Sequence, residues 1–380
     1  MKVFSLLSTA VVTTCLTASG FCEDTRISQN ENMTLESVIS HRTDGTSNDY
    51  QNQNSSYGSS SQSKSMDDPN RTTHSVHGCM SGFSIGAEFL WWRAQMDNLQ
   101  YASQADSPPG AGLPVVFSGR IKEPDFEFDP GVRVSAGYDF GRDNWDIFLR
   151  WTYQNTDATD STGTPSVLSM LPLKDFSQGQ GILAVSIADT AKVKWQNKLN
   201  VLDFEMGYDY FLSQRCSLRP FFGVKAAWLD MDYQTDYTNV FFNGGLTRHV
   251  GISSKTDYWG VGPMVGVDGY LHIGWGFSLY SQTSAALVYG QYDANYRQTD
   301  TGGDLFRERS DSYARQRAVG IIGVGLEWAY CFSGKYMLAF NLGWEGQYWW
   351  NQYELIFFND TSFHGDLTYS GLDAGLRFDF

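Results

Sequence analysis

From Gly82 to Phe380 the chain alternates apolar residues with polar or small ones at a period of two. That is the pattern of β-strands whose two faces meet different surroundings. The last residues show it most simply. Leu372, Ala374, Leu376, Phe378 and Phe380 share one face, and Gly371, Asp373, Gly375, Arg377 and Asp379 share the other. Phe83, Ile85, Ala87, Phe89 and Trp91 form such a face, as do Val132, Val134, Ala136, Tyr138 and Phe140. So do Ile147, Leu149, Trp151 and Tyr153, and Leu202, Phe204, Met206, Tyr208 and Tyr210. The same arithmetic covers Trp275–Tyr289, Ile322–Phe332 and Leu338–Trp350, and holds with local blur around Leu218–Trp228 and Trp259–Leu271. Each segment alone fits a soluble sandwich, with its apolar face on a core, as well as a membrane barrel with that face on lipid.

The connections separate the two. Short polar or glycine turns fall at Gly141–Asn144, Ser213–Ser217, His272–Gly274 and Ser333–Lys335, and long loops at about 93–129, 156–193, 234–256, 293–316 and 353–366. Long and short alternate strictly, as in outer-membrane barrels with tight turns on one side and long loops on the other. The expectation is an all-β, antiparallel transmembrane outer-membrane β-barrel of ten strands with both barrel ends on the periplasmic side. Apolar stretches inside the long loops (Pro114–Phe117, Ile182–Ile187 and Val240–Phe242) leave twelve strands as the alternative.

Composition agrees. Of 380 residues only 18% are charged, 15% are aromatic, and 38 are glycine, whereas soluble domains carry about 25% charged residues. Beyond the N-terminus no run approaches the roughly 18–20 apolar residues of a spanning helix, which excludes a helical membrane protein. A net charge of −15 argues against nucleic acid as a partner. Residues 1–22 read as a secretory signal peptide: Lys2 is the basic start, Val3–Leu16 the short apolar stretch, and Ala18-Ser19-Gly20 the small residues for cleavage. Residues 23–78 are a low-complexity tail rich in Ser, Asn and Gln, expected to be disordered, and the barrel occupies 79–380.

The candidate chemistry is that of a lumen. On the polar faces lie the acids Glu88, Asp139, Asp146, Asp203, Glu205, Asp209, Asp268, Glu327, Glu345, Asp373 and Asp379, opposed by Arg133, Arg150, Lys225 and Arg377. Opposite charges across a narrow lumen order water and set ion preference, and the surplus of acid favours cations. The competing outcome is a plug of mutually paired charges, because a barrel of this size encloses little more than its own side chains. Trp91, Trp92, Trp259, Trp349 and Trp350 sit at strand ends and are expected at the membrane interface. None of the six histidines is placed mid-strand beside a nucleophile, and HExxH and phosphate-loop motifs are absent, so neither catalysis nor a cofactor is expected. His74, His77 and Cys79 lack a fourth ligand for a metal. Cys79, Cys216 and Cys331 fall on the periplasmic side, an odd number that suggests intermolecular pairing or a free thiol.

Several segments resemble a known family. SLRPFFGVKAAWLDMDY (217–233), GVGPMVGVDGYLHIGWGFSLY (260–280), GLEWAY (325–330), LGWEGQYWWNQ (342–352) and HGDLTYSGLDAGLRFDF (364–380) are similar to parts of the Legionella-type major outer membrane proteins. That family includes the MOMP-like porins of Chlamydia-related bacteria. The resemblance implies a pore-forming barrel in a Gram-negative outer membrane. The expected function is passive diffusion of ions and small hydrophilic solutes, with the modest cation preference that the surplus of lumen acids suggests. The alternative is a closed structural or adhesive barrel whose surface loops bind a partner. Phe378 and Phe380 resemble the C-terminal signal read by the barrel-assembly machinery. The expected partners are that machinery, outer-membrane lipid, the solutes, and further copies of the chain or disulfide-linked envelope proteins.

Overall fold

The computed structural model describes residues 82–380 apart from 106–118, 142–143, 164–166, 172, 176–181, 185–186, 214, 242–246, 302, 334 and 357–361. The expected signal peptide, low-complexity tail, His74/His77/Cys79 group and Pro114–Phe117 stretch lie outside these residues. Among the described residues ten long strands form the wall: β1 (Phe83–Met96), β2 (Phe128–Asp139), β3 (Trp145–Thr162), β4 (Thr190–Tyr208), β5 (Cys216–Phe241), β6 (Thr247–Gly274), β7 (Phe277–Asp300), β8 (Tyr313–Phe332), β9 (Tyr336–Ile356) and β10 (Ser362–Asp379). Each pairs antiparallel with its sequence neighbours. β10 pairs with β1 from Ser84↔Asp379 to Met96↔Leu367, so the sheet closes on itself.

The short turns share one rim with both barrel ends, where Phe83 and Phe380 exchange backbone hydrogen bonds of 2.9 and 2.8 Å. The β6–β7 turn is the tightest: Gly274, Trp275 and Gly276 all have positive φ, at 123°, 55° and 83°. A side chain at Gly276 would meet the Ala329 carbonyl oxygen at 2.4 Å, so only glycine fits there.

The apolar face changes sides partway up each tall strand. In β4, Leu202, Phe204, Met206 and Tyr208 point outwards around inward Asp203 and Glu205, but above them Val193, Trp195, Leu199 and Val201 point inwards and are buried. The outward positions there are Lys192, Lys194, Gln196 and Lys198. In β5, Phe222, Val224 and Trp228 are exposed on the outside, whereas Leu229, Met231, Tyr233 and Tyr237 are buried inside. The lower half is thus apolar outside and ionic inside, as lipid requires. The upper half has the ordinary core of a protein standing in water.

This inversion explains why much of the expected long-loop sequence is strand. Residues 234–241 and 247–256 continue the β5–β6 ladder, and β3, β4 and β7 likewise run well past the apolar band. Their outward polar residues look like loop residues, but they belong to a wall that rises out of the bilayer. The wall has ten strands, not twelve. Ile182–Ala184 pairs only with Leu173–Asp175 in a separate two-stranded sheet, and Val240 and Phe241 are the end of β5. Four short strands (Gly119–Lys122, Ala102–Ala105, Val167–Ser169 and Ile187–Ala188) pair in that order from one to the next and join β5 at Phe241. They cap the mouth, where the Tyr237 hydroxyl donates to the Tyr101 carbonyl.

Candidate functional site in the lumen

In the lower half the inward positions of the ten strands carry ionisable side chains that meet across the lumen. Arg133 of β2 lies over the Trp92 ring, 5.2 Å from its centre, and donates to both oxygens of Glu345 on β9 at 2.8 and 2.9 Å. It also donates to Glu88 of β1 at 3.0 Å. Arg219 of β5 is the second hub. It donates to Asp146 at 2.5 and 2.8 Å and to Asp268 at 2.9 Å, and lies 3.4 Å from Glu205. Lys225 bonds Asp203 at 2.6 Å, and Arg150 stands 3.4 Å from Glu205. Arg377 approaches Glu327 at 3.7 Å and Asp379 at 3.3 Å, and the Tyr280 hydroxyl donates to Asp373 at 2.8 Å. The side chains of Arg219, Lys225, Asp146 and Glu205 are at most 2% exposed. Charges withdrawn from water to this degree are tolerable only when they are paired and hydrogen-bonded. Gly207 makes the room: a Cβ there would lie 2.5 Å from the Arg219 Nε.

Between these pairs remains a cavity of about 100 Å³, bordered by Glu88, Arg133, Arg150, Asp268, Glu327 and Asp373. Above it the aromatic core fills the barrel. Trp92, Trp195 and Trp349 are fully buried, and the Asn197 amide of β4 donates across the interior to the Tyr369 hydroxyl of β10. Ionic and aromatic layers follow one another along the axis.

All twelve expected lumen residues turn inwards: Glu88, Arg133, Asp139, Arg150, Asp203, Glu205, Lys225, Asp268, Glu327, Glu345, Asp373 and Arg377. Asp139 sits at the lower rim, where it accepts from the Gly141 amide at 2.7 Å. Trp91, Trp259 and Trp350 are 41%, 48% and 44% exposed on the outer face, but Trp92 and Trp349 are 0% exposed and belong to the inner core, which corrects their expected interfacial position. Adjacent residues of a strand face opposite ways, so one member of each Trp-Trp pair has to point in. Phe378 and Phe380 lie at the lower rim, their rings stacked at 5.8 Å. Cys331 is disulfide-bonded, and Cys216 is half-buried at the start of β5. Cys79 lies outside the described residues.

Sequence reasoning missed Arg219 and Tyr280. Arg219 shares the parity of Lys225 on β5, which was a usable signal, but Phe221 and Phe222 put aromatic residues on both faces and hide the alternation. Among the described residues no group of three His, Cys, Asp or Glu side chains could hold a metal ion.

Comparison with known proteins places the chain. Among solved structures it is similar to the outer membrane protease OmpT of Escherichia coli, with 10% identity, 79% of this chain and 97% of that one covered, and a TM-score of 0.41. It is also similar to a FadL homologue of Pseudomonas aeruginosa, with 6% identity, 79% and 90% covered, and a TM-score of 0.25. Likenesses of this size say nothing of activity. No curated protein matches. The model of the Legionella pneumophila major outer membrane protein precursor family matches residues 76–380. With its closed ten-stranded wall, its lipid-type outer band and this match over most of its length, the chain belongs to the Legionella major outer membrane protein family and is an outer-membrane barrel.

Proposed function

We propose that this barrel is a gated ion pore, closed at rest and cation-preferring when open, with the ion pairs that cross its lumen as the gate. The observation that carries this reading is the surplus of acid inside. In the lower half, among the described residues, eleven inward carboxylates (Glu88, Asp139, Asp146, Asp203, Glu205, Asp209, Asp268, Glu327, Glu345, Asp373 and Asp379) face five cations (Arg133, Arg150, Arg219, Lys225 and Arg377). Arg133, Arg219 and Arg377 each touch more than one acid. Such a guanidinium can exchange partners without ever losing a charge-assisted hydrogen bond, which keeps the cost of rearrangement low. A lumen of net negative charge then concentrates cations along the path.

The second reading, a closed scaffold that presents its surface to partners, is favoured by the aromatic core and the cap above the ionic layer. Single-channel recording of the refolded chain in a planar bilayer under a salt gradient tests both. Brief, discrete openings with a cation-directed reversal potential support the pore. A folded, heat-modifiable protein that never conducts overturns it in favour of the scaffold.

A further inference from the structure

Above Trp349 the wall is broken. The ladder between β8 and β9 ends at Val319↔Trp349, although β8 stays paired to β7 as far up as Tyr292↔Tyr313 and β9 to β10 as far as Ile356↔Ser362. At the end of that ladder β9 is irregular. Residues 350–352 stand against Asp366 alone, and Asn351 has a φ of 49°. Bulges of this kind bend a strand and re-aim its side chains.

The side chains show where the bent segment goes. Gln352 and Glu354 have the outward parity of Trp350, yet they are 0% and 4% exposed, because they meet the inward faces of neighbouring strands. Glu354 accepts from Arg317 of β8 and lies 3.5 Å from the Arg315 Nε. The Gln352 carbonyl accepts at 3.0 Å from the Tyr292 hydroxyl of β7, a strand that β8 separates from β9 lower down. Arg317 donates to the same hydroxyl at 2.9 Å. Arg317 and Tyr292 share the inward parity of the buried Val319 and Val288. Upper β9 therefore lies inside the wall, with its outer face against the inner face of β8.

This placement leaves groups unsatisfied. The β8 edge at 313–318 has no ladder partner on its β9 side. The Gln352 amide is buried with neither its oxygen nor its nitrogen hydrogen-bonded, a state that buried polar groups ordinarily avoid. The sequence of upper β9 suits the wall instead. Continued in register from Val319↔Trp349, the ladder would set Gln316 opposite Gln352 on the outer face and Arg315 opposite Tyr353 on the inner one. That is the polar-outside, aromatic-inside pattern of the upper wall, and it would bring the Gln352 amide to water. Two packings of one segment compete, and the Glu354 carboxylate favours the inner one.

We propose that upper β9, from Trp350 through Glu354, is a strap across the barrel mouth, latched by Glu354 on Arg317 and Arg315, and that the mouth opens when the strap swings outwards to extend the β8–β9 ladder. β10 remains paired to β1 up to Met96↔Leu367, so the hinge lies on that side. The movement does not depend on conduction, whereas its role as a gate above the ionic layer rests on the barrel's being a pore.

Hydrogen exchange of the refolded full chain in detergent, read by mass spectrometry, tests the strap, because the 313–318 amides gain ladder bonds only when it swings out. E354Q removes the charge of the latch and keeps its shape. Exchange across 313–318 should slow about fivefold in E354Q relative to wild type. Y292F, which removes only the hydroxyl that holds the Gln352 carbonyl, should slow it about twofold. In planar bilayers E354Q should lengthen the openings. Unchanged or faster exchange across 313–318 in E354Q overturns the inference whether or not the barrel conducts. Slower exchange in a barrel that never conducts upholds the strap and overturns the pore. If loss of heat-modifiability shows E354Q misfolded, Y292F replaces it, and unchanged or faster exchange there overturns the strap.

Discussion

Arg133 and Glu345 are joined by a two-pronged ion pair although β1 and β10 stand between their strands in the wall. The pair spans a chord of the lumen, at the boundary between the ionic layer and the aromatic core. Removing one partner strands a buried charge, which typically costs about 3–5 kcal/mol. R133Q is therefore expected to lower stability more than R133Q/E345Q does, although the double variant changes more atoms. E345Q should be milder than R133Q, because Glu88 remains to hold Arg133. Urea unfolding in detergent checks the order. A double variant less stable than both single variants would refute it.

The same pair tests the proposed gate. If partner exchange by Arg133 opens the path, E345Q removes its cross-lumen carboxylate, leaving Glu88 and the Thr152 hydroxyl on the neighbouring strands to hold the guanidinium, and should raise the open probability in bilayer recordings. Opening statistics identical to wild type would remove Arg133 from the gate.

If the lumen conducts as proposed, its charge sets the sign of selectivity. Replacing Glu205, Glu327 and Glu345 together by Gln removes three of the inward acids and should shift the reversal potential in a salt gradient towards zero, with the barrel still folded. An unchanged reversal potential would mean that the ions do not pass these residues.

Two residues of β4 test the inverted faces. Trp195 is fully buried in the upper core, whereas Phe204, nine residues further on, is 46% exposed on the lipid-facing side. W195A should cost about 3–5 kcal/mol, the usual range for emptying an aromatic core site. F204A, facing acyl chains that fill the space it vacates, should cost markedly less. Equal losses in thermal unfolding would contradict a protein-like core above the membrane.

The strand number, the turns and the inward acids were legible in the sequence because a period of two and short turn segments are local signals. The side on which the apolar face lies was not. Alternation carries no absolute sign, so Leu202–Tyr208 and Val193–Val201 look alike although one set faces lipid and the other the core. What reverses it is the solvent outside the wall, water in place of lipid, which no local pattern records. The Trp91–Trp92 and Trp349–Trp350 pairs straddle that ambiguity, which is why half of each was misplaced. Arg219 was hidden for a related reason: Phe221 faces in and Phe222 faces out, so neither face of that segment looks polar.

The upper rim should tighten on mild acidification, and Asp97 is the group that makes it do so. At the top of β1, outside the membrane-spanning segment, the Asp97 amide donates to the Asp366 carbonyl at 3.1 Å, and Asn98 donates to the His364 carbonyl at 2.5 Å. The Asp366 carboxylate accepts from the Tyr348 hydroxyl and from the Asn351 amide, the latter at 2.7 Å. Partial burial, then the charge of Asp366, then that of Glu123 push the Asp97 carboxyl above its usual value of 3.8. A carboxyl whose folded pKa is raised favours the folded rim most when it is protonated. Its contribution is complete below the ordinary value and is lost as pH rises through the raised one. Hydrogen exchange of the amides around 97–101 should therefore slow as pH falls from neutrality into the carboxylate range, once the intrinsic pH dependence of exchange is divided out. D97N should show slow exchange throughout, because the amide cannot acquire the charge that Asp366 repels. If D97N retains the wild-type pH dependence, the acid sensitivity of the rim belongs to another group.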